Sequence, residues 1–227
     1  MTLTARDTRR RQLLLAMMGT GLGASALLRQ VSAQNLVPET QGVHRVDGDV
    51  RVNGVRAAPG APVRPGDVVA TGLNAYTMFV VGGDAYLMRE NSRLELQGQS
   101  QFVSALRMLT GKLLGVYGRS SVRRQLVTQT ATIGIRGTGG YLEADPDRTY
   151  FCLCYGVADI VPTQRPGLRE IYSTQHHESP RYIYGDGQVQ MMENAPMVNH
   201  TDAELILLES FVGRKPPQSF LDRTGDY

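Results

Sequence analysis

The sequence predicts an all-β protein: a short-stranded β-sandwich or a β-solenoid-like roll, with one C-terminal amphipathic helix. Three observations carry this. Turn signals recur roughly every 8 to 12 residues from Val43 onward, with alternating polar and apolar residues between them. Helical spacing is confined to one stretch after residue 200. Glycine is frequent, at 25 of 227 residues, and Trp is absent, as suits a turn-rich β chain.

Residues 1–33 have the order of an export signal. Arg6, Arg9, Arg10 and Arg11 stand against Asp7, an apolar run follows from Leu13 to Leu28, and Val31-Ser32-Ala33 forms a small-x-small exit ahead of Gln34. The run, about 16 residues, is shorter than the roughly 20 of a membrane-spanning helix, so cleavage is expected over retention as an anchor. Arg10-Arg11-Gln12-Leu13-Leu14 resembles a twin-arginine export signal, with Arg9 where Ser or Thr is usual. That resemblance implies a folded protein delivered to the periplasm. The signal accounts for five basic residues and one acidic residue, leaving 19 basic against 20 acidic. With no long basic run in the remainder, no nucleic-acid partner is expected. The membrane enters only as export route or anchor.

Asp49 to Ala57 alternates polar and apolar around Asn53-Gly54, a dipeptide suited to a type I′ hairpin. Pro59-Gly60 and Pro65-Gly66-Asp67 mark the next loop. Strands are expected at 68–70, 75–81, 85–88, 93–96, 102–109, 112–117, 122–128, 131–135, 141–145, 149–155 and 157–161. No strand–helix alternation suggests a nucleotide crevice. After Pro162 the pattern weakens to a loop, a short strand at 168–173 and two more around Tyr182 and Val189. Thr201-Asp202-Ala203-Glu204 then fits a capping box. Leu205, Leu208, Glu209 and Val212 follow at helical spacing, Gly213 can stop the helix, and Pro216-Pro217 forbids its continuation. The expected organisation is a β domain over 34–161 and a C-terminal extension over 162–227, holding a helix at about 202–212 and an extended tail.

Three motifs occur in a set order: Gly48 and Gly54 followed by Val63-Arg64-Pro65-Gly66-Asp67-Val68-Val69-Ala70-Thr71-Gly72; Gly83-Asp84 leading to Thr110-Gly111-Lys112-Leu113; and Ala131-Thr132-Ile133-Gly134-Ile135-Arg136-Gly137-Thr138-Gly139. In this order they resemble the FecR domain, named for the sensor half of a bacterial iron-citrate signalling regulator, over about residues 45–160. The resemblance implies a non-enzymatic periplasmic β domain that scaffolds or senses, with an unidentified envelope protein or small ligand as partner. Signalling members also carry a cytoplasmic anti-sigma segment and a closing module that docks a transporter. Only 12 residues precede the apolar run here and the closing module is not visible, so transcriptional signalling is not implied.

The chain has two cysteines, Cys152 and Cys154, in Thr149-Tyr150-Phe151-Cys152-Leu153-Cys154-Tyr155. In a strand, residues i and i+2 share a face. Both thiols therefore point the same way with Tyr150, while Phe151, Leu153 and Tyr155 point oppositely. Their Cα atoms lie about 6.5–7 Å apart on an extended strand, at the edge of disulfide geometry and with parallel side chains. Such a pair suits a shared metal ion, an oxidisable couple, or a core filled by small apolar thiols. His176, His177 and His200 are the candidate further ligands; His44 has no partner motif and is expected at the surface. Two Cys and two His satisfy zinc tetrahedrally and can also hold copper or iron. The spacings, 22 residues from Cys154 to His176 and 46 to His200, match no compact zinc finger. The fold must bring the groups together.

No hydrolase constellation is present. There is no G-x-S-x-G, no defensible carboxylate pair, and no lysine or helix after Gly137-Thr138-Gly139-Gly140. No enzymatic activity is expected. Three functions remain: an envelope scaffold or sensor with a metal site, a redox or metal-handling protein using the thiol pair, and a structural module with buried thiols.

Overall fold

The computed structural model describes residues 41–185 and 190–225. The export-signal reading of residues 1–33 lies outside them. Fourteen strands join in one continuous sheet, so the all-β expectation holds. Three strands are long: β8 (Phe102–Val116), β10 (Ala131–Ala144) and β11 (Arg148–Pro162). Each pairs with one set of neighbours along its first half and another along its second, which folds the sheet over on itself.

The first layer runs β12 (Glu170–Thr174), β11, β10, β9 (Arg124–Val127), β8, β7 (Arg93–Gln99), β4 (Val68–Thr71), β2 (Val50–Val52) and β3 (Val55–Arg56). It uses residues 156–162 of β11, 131–136 of β10 and 102–110 of β8. The second layer runs β14 (Met192–Asn194), β13 (Arg181–Tyr184), β11, β10, β8, β6 (Asp84–Met88), β5 (Tyr76–Val81) and β1 (Gly42–Asp47). It uses residues 148–155 of β11, 139–144 of β10 and 111–116 of β8. All pairings are antiparallel except β8 with β9, which sets the fold apart from a coiled solenoid. It is a roll whose two layers share three strands.

The sequence reading cuts each long strand in two, because Gly111, Gly137 and Gly156 read as turns. The structure places them instead at bends within continuous strands, all three with positive φ. Asn53 and Gly54 adopt φ of 52° and 80°, as the type I′ turn between β2 and β3 requires.

The main core lies between the layers and contains Phe79, Met88, Leu113, Leu142 and Phe151 from one side, with Val69, Leu94, Leu106, Ile133 and Ile160 from the other. The second layer is buried on its outer face as well. There Met78, Val80, Ala85, Leu87, Leu114, Val116, Tyr141, Cys152 and Cys154 lie under Leu205, Leu208, Val212 and Phe220. This two-sided burial explains the unbroken apolar runs of β5 and β6.

The cover is the C-terminal extension. Helix α1 (Asp202–Phe211) carries the expected capping box: Glu204 N–H donates to Thr201 Oγ1 while Thr201 N–H donates to Glu204 Oε2. The segment after Pro216-Pro217, expected to be extended, instead forms a helical turn, α2 (Gln218–Leu221). Phe220 drives this, being fully buried against Tyr155. Full burial of a side chain of this kind is worth about 1.5–3 kcal/mol. Among the described residues no helix is long and apolar enough to cross a membrane.

Candidate metal centre

Strand β11 presents Cys152 and Cys154 to the outer face of the second layer, beneath the extension. The same-face expectation holds for the thiols and for Tyr150, with Phe151 and Leu153 in the opposite core. Tyr155 departs from it. Gly140 pairs with Leu153 and Gly139 with Tyr155, so Cys154 is the extra residue of a β-bulge. The bulge turns Tyr155 onto the cysteine face. Both thiols are free and fully buried.

Two loops bring imidazoles to them. After β12 the chain turns back on the sheet: Thr174 Oγ1 donates to Leu153 O at 2.7 Å and His177 N–H donates to Cys154 O at 3.1 Å. His177 takes φ of 51°, and its ring is fully buried. The second loop precedes α1. Tyr150 holds it, donating its hydroxyl to Pro196 O and accepting from Val198 N–H. Asn199, at φ 58°, donates to Glu143. His200 then stacks on Tyr141 with ring centroids 4.6 Å apart.

The result is a four-membered cluster. Cys152 Sγ lies 3.4 Å from His177 Nδ1, Cys154 Sγ lies 3.4 Å from His200 Nε2, and the two ring nitrogens are 3.1 Å apart. All four ligand atoms fall within 4.8 Å of one another. A tetrahedral zinc ion with Zn–S of about 2.3 Å and Zn–N of about 2.0–2.1 Å requires edges of about 3.5 Å between sulfur and nitrogen and about 3.3 Å between nitrogens. The measured edges lie close to these.

The outer nitrogens fix the tautomers. His177 Nε2 is 3.0 Å from Asp202 Oδ1, and His200 Nδ1 is 2.7 Å from Val198 O. A carboxylate and a carbonyl can only accept, so the proton of each neutral ring sits on the outward nitrogen. The bare lone pairs of Nδ1 and Nε2 therefore face the sulfurs, the orientation that metal-binding imidazoles take from their outer partners. Without a metal the thiol proton of Cys152 can pass to the inner nitrogen of His177. Burial opposes ionisation of Cys152, but hydrogen bonds from Cys154, His177 and His200 then outweigh it and hold its pKa well below the ordinary value, while Cys152 and Asp202 hold the His177 ring above its own in spite of burial. Burial, with Cys152 beside it, pushes Cys154 well above. The cluster thus stabilises one thiolate without a metal; a bound cation stabilises the second.

His176 is not in this cluster. Its Nε2 lies 3.0 Å from Asp202 Oδ2, so Asp202 bridges the two neighbouring histidines. His44, expected at the surface, is half-buried and stacks on Phe211. The sequence reading passes over Asp202. Its signal is its place as the first residue of a capped helix, two positions after a candidate ligand. Phe220 completes the apolar shell, packing on His176 and His177.

No family model matches the chain. No curated protein matches it either. Among solved structures, two crystal structures of a candidate anti-sigma factor from Parabacteroides distasonis ATCC 8503 align with 8% identity and a TM-score of 0.47, over 56% of this chain. The alignment spans 59% of the length of those chains.

Proposed function

We propose that the protein is an exported, non-enzymatic envelope module of FecR-like type whose C-terminal extension is held by a tetrahedral metal centre. Cys152 Sγ, Cys154 Sγ, His177 Nδ1 and His200 Nε2 are the ligands, and an ion of the zinc class is the occupant. The observation that carries this is the convergence of four donor atoms within 4.8 Å of one another, three of their separations close to those of a tetrahedral site, with both imidazoles oriented from outside. Four protein ligands leave no open position for substrate, which is the pattern of a structural site rather than a catalytic one. Two thiolates and two imidazoles in a tetrahedron favour zinc over copper(II) or an octahedral ion.

The export route rests on the twin-arginine-like order of residues 1–33. The FecR-like assignment rests on the sequence of turn motifs between Gly48 and Gly139. Thiol–disulfide chemistry is the weaker use of the cysteines, because exchange requires access to a sulfur and both are buried.

Elemental analysis of the natively exported protein tests the reading. One equivalent of zinc per chain is expected, replaceable by cobalt(II) with the visible absorption of a tetrahedral thiolate site. Cys152→Ser should abolish both. A wild-type protein that contains no metal, takes up none, and keeps two unmodified thiols would overturn it.

A further inference from the structure

Every ligand of the centre lies between residues 152 and 200, and two of the four approach from segments outside the roll's long strands. His177 belongs to the turn after β12, and His200 stands immediately before the helix cap Thr201. Asp202, the first residue of α1, takes the outward N–H of His177 and of His176. The N-terminus of α1 is thereby tied to the ligand set twice, once through the adjacent ligand and once through an orienting carboxylate.

The helix has little of its own to stand on. It is ten residues long, below the roughly 12–15 at which even good isolated helices become marginal in water. Its apolar side chains Leu205 and Leu208 are buried only by docking on Val80, Ala85, Leu87, Leu114 and Val116, the outer face of the second layer. The other ties to the roll are few: Arg89 to Glu204 and to Asn199 O, the buried Tyr155 hydroxyl to Glu209, Arg214 to Gly83 O, and the stack of Phe211 on His44. The segment that follows, 212–225, reaches the roll through Val212, through Arg214 on Gly83 O, and through Phe220, which packs on Tyr155 and on the two histidines.

Resting on the metal reading above, we propose that the centre is a clasp. Metal occupancy sets whether residues 198–225 lie docked on the second layer, and Asp202 is the positioning residue that couples the two. Metal binding cross-links Cys154 to His200 across 46 residues of chain and orients the start of α1. Metal loss removes the cross-link and leaves the tie through Asp202 without an anchored ring. The segment then undocks and uncovers the apolar face beneath it, while the first layer, which contributes no ligand, stays folded. The device turns metal occupancy into exposure of a hydrophobic surface.

Hydrogen exchange on the full exported chain, metal-loaded and after chelation, reads this directly. Amides of residues 205–213 should exchange at least about 10²-fold faster after chelation and recover on adding zinc. Those of β4 and β7 should be unchanged. Cys154→Ser should show the fast pattern without chelator. Asp202→Asn, which keeps a carbonyl for only one imidazole, should weaken metal affinity about 10–100-fold and raise the zinc concentration needed to protect α1 by the same factor. Unchanged α1 protection in a protein proven to have lost its metal would overturn the clasp and leave the metal centre standing. Loss of protection throughout the roll would overturn it too. Failure of the wild type to bind zinc at all would instead overturn the centre on which it rests.

Discussion

His177 Nδ1 and His200 Nε2 face each other at 3.1 Å across 23 residues of chain, each with its other nitrogen already committed. Asp202 takes the outward N–H of one and Val198 O that of the other. Two bare lone pairs this close repel unless a cation or a shared proton lies between them. Flanked by two sulfurs at 3.4 Å, the pair forms one edge of the proposed metal centre.

The ligand set can be separated by substitution. His177→Ala and His200→Ala each remove a donor and should lower zinc affinity by about 10²-fold or more. His176→Ala removes no donor of the cluster but takes a partner from Asp202 and a packing surface from Phe220, and should cost about tenfold or less. Competition with a chromophoric chelator measures all three. Equal losses at His176 and His177 would mean that the two rings exchange roles.

Glu209 is buried beneath α1, where it accepts from the Tyr155 hydroxyl at 2.6 Å and from Arg214 Nε at 2.7 Å. Arg214 also donates to Gly83 O, at the turn between β5 and β6. Burial raises the Glu209 pKa above the ordinary carboxyl value in spite of Arg214. Arg214→Ala should therefore destabilise the metal-loaded protein by about 2–3 kcal/mol, since a buried acceptor loses a charged partner. Arg223→Ala, which breaks an exposed pair with Glu178, should cost about 0–1 kcal/mol. Urea denaturation of both variants checks the difference; similar costs would show that the Glu209 contact does not hold the extension.

Much of this is legible in the sequence, and the departures have identifiable physical causes. Strand periodicity places Cys152 and Cys154 on one face, the capping box marks the observed start of α1, and helical spacing up to Gly213 gives its end to within a residue. Periodicity did not place Tyr155, because a bulge at Cys154 depends on how β10 pairs across from it. Nor could it choose between His176 and His177. They are adjacent and both buried, and which ring meets the cysteines depends on how the turn after β12 docks on β11. Gly111, Gly137 and Gly156 looked like turns because positive φ serves a bend inside a long strand as well as a reversal. Phe220 lay in a stretch read as a tail, since one buried aromatic leaves no periodic trace.

The bend in β11 is testable by itself. Gly156 has φ of +102°, and a Cβ there would lie 2.5 Å from Thr138 Cγ2 and 2.8 Å from Gly137 O. Gly156→Ala should cost about 2–4 kcal/mol through backbone strain and overlap with main-chain atoms that cannot retreat. Gly167→Ala, with nothing within 4 Å, should lie within about 0.5 kcal/mol of wild type. Thermal or urea unfolding distinguishes them, and a neutral Gly156→Ala would mean the layers are not joined through this bend.

Asp84, at the start of β6, is the most exacting electrostatic case. It is buried, with Oδ2 2.7 Å from Arg124 Nε and Oδ1 accepting from Gly118 N–H at 2.9 Å. Burial pushes its pKa up to about 6, against the pull of Arg124, the Gly118 amide and Arg214. The unfolded chain returns it to 3.8. Between those values the folded state binds the proton more tightly. The stability tied to this group is thus complete below the unfolded pKa and lost as pH rises through about 6, a change of about 3 kcal/mol. Asp84→Asn cannot titrate. Unfolding free energies of wild type and variant, compared from pH 4 to pH 7, should shift by up to that amount in favour of the variant. Both proteins share the Cys152, Cys154, His177 and His200 cluster, so its own pH dependence cancels in the difference. A flat difference, or one that moves toward wild type as pH rises, would show that Arg124 compensates the buried carboxylate in full.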